Sequence, residues 1–155
     1  MKGDFGVART DTFLGFLIRL FTFSHWNHAF IDMGKGWCVE ATMEGAKLRT
    51  MTYKDMRLSP QALSWEQRLR ISDAALGVLG TPYGFADILA LALLRLHIRP
   101  VWLRREVART DRLICSQLVD VVYRRAGVSL FKDGRSPENV TPGDLSKLIG
   151  EGNGW

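Results

Sequence analysis

The stretch Asn27-His28-Ala29-Phe30-Ile31-Asp32-Met33-Gly34-Lys35-Gly36-Trp37-Cys38-Val39-Glu40-Ala41-Thr42 decides the fold class. Two mainly apolar runs flank the turn signal Met33-Gly34-Lys35-Gly36, which predicts an antiparallel hairpin with strands over Trp26–Asp32 and Trp37–Thr42. Working outward, Gly3–Ala8 reads as a short strand and Lys47–Thr52 as a third. Thr12–Phe23 is apolar nearly all round, with Thr10, Asp11 or Thr12 available to cap it, so it reads as a buried helix. Downstream, Ser59-Pro60-Gln61 with Glu66 starts a helix over Gln61–Leu79 that stops at Gly80. Thr81–Gly84 is a loop, Phe85–Leu96 a second helix, and Arg99–Ala108 a loop or lid containing Pro100 and Trp102. Asp111–Ala126 is the clearest helix: Thr110 or Asp111 caps it, Leu113, Ile114, Leu118, Val119 and Val122 form its apolar face, and Gly127 stops it. Loop follows from Ser136, then a short helix over Leu145–Ile149 and a frayed tail over 151–155. Strands gathered in one region with helices before and after predict an α+β fold, a small antiparallel sheet packed against helices.

The chain has 155 residues, without repeats or a Pro/Ser-rich linker, and reads as a single domain over 1–155. A chain of this size buries about 68–70% of its unfolded surface, enough for a core without staples. With 46% hydrophobic and 24% charged residues it is neither a disordered tail, nor a collagen-like fibre, nor a coiled-coil rod. Two cysteines exclude a disulfide scaffold. The net charge of +5 favours anionic partners such as nucleic acid, acidic lipid or cell-wall polymer, although no block of like charges marks a basic tail. Asp4, Arg9 and Asp11 interrupt the start where a signal peptide would need an apolar run. The apolar stretches Phe13–Phe23 and Phe85–Leu94 contain Arg19 and Asp87 and fall short of the roughly 20 residues that span a bilayer. The expectation is cytoplasmic synthesis with no signal peptide and no transmembrane segment; virion association or export would use another route.

Cys115 is the first residue with chemistry in it. It falls in the first turn of the expected helix, where unpartnered N–H groups and the macrodipole favour a thiolate. Its alternative reading is a small buried apolar residue. A thiol nucleophile needs an imidazole within reach, and the imidazole needs a group that orients it. His28 and Glu40 lie on the two strands of the hairpin, and an odd-length connection leaves them on one face, opposite or diagonal. Glu40 stands in an apolar run, where a carboxylate is costly unless paired. The plain alternatives are a satisfied core histidine and a solvated strand glutamate. His25 belongs to the preceding loop, Cys38 to the core, and His97 to structure or surface. Metal and nucleotide motifs are missing: no C-x-x-C, no H-E-x-x-H, no phosphate loop, no G-x-G-x-x-G. No metal or cofactor is therefore expected. Trp102 among Arg99, Arg104 and Arg105 is a faint nucleic-acid stripe, and a lid over a substrate groove explains it as well.

The order His28, Glu40, Cys115 resembles the circularly permuted papain-like cysteine hydrolases of the NlpC-like superfamily, including its YiiX-like and lecithin retinol acyltransferase-like branches. The resemblance runs in fragments over most of the chain: Gly3-Asp4, Asn27-His28-Ala29-Phe30-Ile31, Val39-Glu40-Ala41, Tyr83-Gly84-Phe85, Ile114-Cys115-Ser116-Gln117-Leu118-Val119 and Thr141-Pro142-Gly143-Asp144-Leu145. Gln117 stands where the family usually carries Glu, and a long apolar helix replaces a short loop before the histidine. The resemblance implies a permuted papain-like fold with Cys115 as nucleophile, His28 as general base and acid, and Glu40 as the orienting third residue. It implies the Cys115 N–H as an oxyanion donor with a tyrosine, here Tyr83, beside it; Gln117 and Trp102 are further candidates for the oxyanion and substrate side. The implied activity is hydrolysis of an amide or ester through an acyl-enzyme, with a peptidoglycan peptide as the first substrate. Two alternatives stand beside it. One is a lipid acyltransferase or thioesterase with the same Cys-His chemistry, its acyl groove formed by Thr12–Phe23 and Phe85–Leu96. The other is a non-catalytic virion or binding module that retains the fold.

Overall fold

Gly34, Lys35 and Gly36 all have positive φ, at 80°, 53° and 79°. Lys35 and Gly36 form the two-residue turn of the central hairpin, and positive φ at both positions matches the right-handed twist of the strands they join. The computed structural model describes residues 1–12, 15, 16, 19, 24–59, 61–82 and 114–150. Within them lie strands β1 (Phe5–Ala8), β2 (His28–Gly34), β3 (Trp37–Thr42), β4 (Gly45–Thr50) and β5 (Met56–Leu58). The helices are α1 (Trp65–Leu76), α2 (Cys115–Arg125) and α3 (Pro142–Leu148), with a 3₁₀ turn at Pro137–Asn139. The fold is α+β. The five strands form one antiparallel sheet in the order β4-β3-β2-β1-β5.

One face of this sheet packs on the helices. Phe5, Val7, Ala29, Ile31, Val39 and Ala41 meet Ile71 and Ala75 of α1, Leu118, Val119 and Val122 of α2, and Leu145 of α3 in one continuous buried cluster. Tyr123 closes it: its ring meets Phe5 edge-on with centroids 5.8 Å apart, and its hydroxyl donates to the Gly3 carbonyl at 2.7 Å. The other face carries a smaller cluster of Ala8, Phe30 and Cys38, with Met51, Tyr53 and Leu58 against it.

Several element limits differ from the sequence expectation, each for a local reason. β2 starts at His28 rather than Trp26, because the Asn27 side chain is bound to Thr10 on both sides, accepting from its N–H at 2.8 Å and donating to its carbonyl at 2.7 Å. β4 starts at Gly45 rather than Lys47, since Gly45 takes φ 105° and turns the chain within two residues of Thr42. β5, three mostly exposed residues with no alternation, has no sequence signal. α1 starts after Ser64, whose hydroxyl accepts from Gln67 N–H at 3.2 Å while Gln67 Oε1 accepts from Ser64 N–H at 2.8 Å. This reciprocal cap outcompetes the Ser59-Pro60 start. α3 begins three residues earlier than expected, capped by Thr141 with Pro142 at its first position. The helix expected from Asp111 begins instead at Cys115, with Ile114 extended at φ −90°, ψ 163°.

Other expectations fall outside the described residues: Tyr83, the helix over Phe85–Leu96, His97, the segment holding Trp102, and the tail over 151–155. Of the helix expected over Thr12–Phe23, Gly15, Phe16 and Arg19 are described and helical. Among the described residues no helix is long and apolar enough to cross a membrane.

Candidate active site

The hairpin connection places the first two candidate residues. Asp32 pairs with Cys38, but Gly34 pairs with Trp37, so Met33 is bulged out of the ladder. The bulge makes the interval between Asp32 and Cys38 odd. A straight two-residue hairpin would shift the register by one and turn Glu40 to the helix side. With the bulge, Glu40 lies opposite Phe30 and shares a face with His28, two residues along the strand. Their side chains meet at 2.5 Å between His28 Nε2 and Glu40 Oε2.

Glu40 is 5% exposed. A buried carboxylate needs partners, and the structure supplies three. Besides His28, the Tyr53 hydroxyl donates to the same oxygen, Oε2. Arg49 Nε stands 3.8 Å from Oε1. Tyr53 is fixed by its ring, which stacks on Phe30 with centroids 5.2 Å apart and tilts against His28 at 5.5 Å. Phe30 in turn lies over Gly6 on β1, its cross-strand neighbour, where any Cβ would collide with the ring. A glycine on one strand thus lets an aromatic pair form that holds a carboxylate on another.

Cys115 is the first residue of α2 and 2% exposed. Its position is tied down on both sides. The neighbouring Ser116 hydroxyl donates to the Val140 carbonyl at 2.6 Å. Ile114 offers no side-chain acceptor to cap the helix, and Gln117 Oε1 instead reaches back to accept from Ile114 N–H at 3.3 Å. Gln117 therefore serves the helix start with its carboxamide oxygen. The Cys115 thiol acts on His28 as an acidic neighbour and, with Glu40, favours the charged imidazole. The His28 nitrogen bonded to Glu40 is Nε2.

Burial alone would pull the His28 pKa down, but the hydrogen bonds and charges of Cys115 and Glu40 outweigh it and raise it from 6.5 to about 9. The cationic form of His28 is thus favoured by its two acidic neighbours. Cys38 differs. It shares the strand face with Glu40, and burial together with the charges of Glu40 and Asp32 pushes its thiol up to about 12. Neither cysteine is in a disulfide. His25 stands apart, paired with Asp55 at 2.9 Å on the surface.

A cleft of about 260 Å³ opens beside the imidazole. His28, Glu40, Arg49 and Tyr53 reach it, and threonines such as Thr42 and Thr50 supply hydroxyl walls. Sequence reasoning missed Tyr53 and Arg49. The only signal for either was an alternation that carries β4 past Glu40, and Tyr53 lies beyond the end of that strand.

These elements define an α+β class in which a small antiparallel sheet backs a cysteine-bearing helix. Among solved structures the chain has the fold of the metalloprotein YiiX from Escherichia coli O157:H7, with a TM-score of 0.62, 20% sequence identity, and coverage of 95% of this chain and 79% of YiiX. At that identity the likeness is one of fold. No protein-family model matches the chain, and no curated protein matches it. YiiX is described as a metalloprotein. Here, among the described residues, no group of three or more His, Cys, Asp or Glu side chains is arranged to hold a metal ion.

Proposed function

We propose that this chain is a cysteine hydrolase that cleaves an amide or ester bond through an acyl-enzyme on Cys115. The reading rests on one observation: His28 is bonded to the Glu40 carboxylate and lies within electrostatic reach of the Cys115 thiol. Glu40 acts as the positioning residue, fixing the ring and favouring its cationic form. The reacting form is the thiolate–imidazolium pair, in which the thiol proton has passed to His28. Sγ bonds to the substrate carbonyl carbon, and the oxygen gains the negative charge. The Cys115 N–H, among the donors at the start of α2 that lack an intrahelical partner, receives it. Collapse breaks the bond to the leaving nitrogen or oxygen, which takes the His28 proton. Neutral His28 then removes a proton from water as that water attacks the thioester. Departure of Sγ releases the acid and restores the ion pair.

A peptide bond, with a peptidoglycan peptide as the first candidate, is the proposed substrate; the resemblance in the sequence motifs supports it. The hydroxyl and guanidinium groups around the cleft also suit a polar chain better than a lipid tail. The test is mass spectrometry of the intact protein mixed with muropeptides and, separately, with a long-chain acyl thioester. The expected result is a peptide-derived adduct on Cys115 that disappears in Cys115→Ser. An adduct from the lipid alone would transfer the chemistry to the acyltransferase alternative. Muropeptide cleavage persisting in Cys115→Ser would refute the assignment.

A further inference from the structure

Arg49 stands on β4 at the mouth of the cleft, with its side chain 60% exposed. Its contact with Glu40, at 3.8 Å, is longer than a hydrogen bond. The five guanidinium donors therefore have no hydrogen-bonded acceptor among the described residues. Lys47, which faces Glu40 across the ladder, is already paired with Glu44. Glu40, the one carboxylate among the described residues lining the cleft, has Oε2 occupied by His28 and Tyr53. Among the described residues lining the cleft, Arg49 is the cation not already hydrogen-bonded to a carboxylate. A single such cation suits a monoanion better than a phosphate dianion, which would sit against Glu40. A planar fork of donors also matches a carboxylate in shape.

The placement says which part of a substrate would lie there. His28 lines the cleft and Cys115 does not. In the reaction proposed above, the acyl part is bonded to Cys115 and the leaving part takes its proton from His28. We propose that the cleft receives the leaving portion of the substrate, and that Arg49 selects a leaving portion carrying a carboxylate. For a peptide this means cleavage close to a free carboxyl group. This inference rests on the hydrolase reading, but its binding half can be tested separately.

The first experiment titrates the full chain at pH 7 with benzoate and with benzamide, its neutral isostere, following the backbone amides of Thr42 and Thr50 by NMR. The expected result is saturation by benzoate at a concentration lower by about tenfold, the equivalent of one modest ion pair. Arg49→Gln should bring the two ligands to parity, with its other amide positions unmoved. Equal saturation in the wild type, or a preference that survives in Arg49→Gln, overturns the proposal. The second experiment compares kcat/KM for 4-acetoxybenzoate and its methyl ester, whose leaving groups differ only in the carboxylate. The expected preference is again about tenfold, and it should collapse in Arg49→Gln. A benzoate site without this preference removes the carboxylate from the leaving side and overturns that half. Hydrolysis of neither ester counts against the hydrolase reading and the leaving-side assignment together, while the titration still decides the anion site.

Discussion

On one face of the sheet Phe5, Val7, Ala29, Ile31 and Val39 press against α1 and α2, and all five are fully buried. On the other face Ala8, Phe30 and Cys38 make a small apolar patch beside His28, Glu40 and Tyr53. The helix side is held by dispersion and burial spread over many interchangeable contacts. The other side depends on a chain of single contacts: Gly6 admits Phe30, Phe30 stacks Tyr53, Tyr53 holds Glu40, and Glu40 holds His28. Loss of one link there has no neighbour to compensate. The two cysteines sharpen the contrast. Cys38 is shut into the patch with its thiol pushed up to about 12, whereas Cys115 starts a helix and lies within electrostatic reach of an imidazole favoured in its cationic form.

The largest expected effect breaks the active face alone. Cys115→Ser and His28→Ala should each lower kcat/KM for an ester by about 10³-fold or more while the fold survives. Cys38→Ser should leave turnover within about threefold, because burial keeps that thiol inert. Circular dichroism and steady-state kinetics on the three variants check this. Comparable losses at Cys38 and Cys115 would erase the distinction between the two thiols.

Deletion of Met33 follows. Removing the bulged residue should turn Glu40 toward the helices and put a carboxylate among Val119 and Val122, costing several kcal/mol, about the penalty of a buried unpaired charge. Urea denaturation measures it, and a deletion that leaves the midpoint unchanged would show that the bulge does not set the register. Tyr53→Phe is milder. It keeps the stack on Phe30 but loses the donor to Glu40, for an expected cost of about 1–3 kcal/mol and about a tenfold drop in turnover. If Tyr53 positions His28 through Glu40, the upper limb of the pH–rate profile should move down in this variant. A shift in stability with an unmoved profile would make Tyr53 structural only.

The smallest effect is a slope. The His28 pKa is raised from 6.5 to about 9, so the folded protein holds this proton more tightly than the unfolded chain. Its contribution to stability is full below about pH 6.5 and fades as the pH rises through about 9. The urea midpoint of the wild type should fall across that window, and that of His28→Ala should fall less. Parallel slopes would place the titrating group elsewhere.

The amino-acid sequence marked the hairpin, because Gly34-Lys35-Gly36 can supply the positive φ values a tight turn needs and the flanking runs are apolar. It marked the cysteine helix through the spacing of Leu118, Val119 and Val122, and it marked Glu40 because a carboxylate in an apolar run requires a partner. Those are local signals, written in neighbouring residues. The start of α2 at Cys115 was less visible, since its cap comes from Gln117 reaching backward instead of from a serine or aspartate ahead of it. Which side chains surround Glu40 could not be read at all. Tyr53 reaches it from beyond the next strand, over a ring that fits only because Gly6 lies beneath it. The meeting of Cys115 with His28 is likewise set by how α2 packs on β2, and contacts between distant segments exist only once the core has closed.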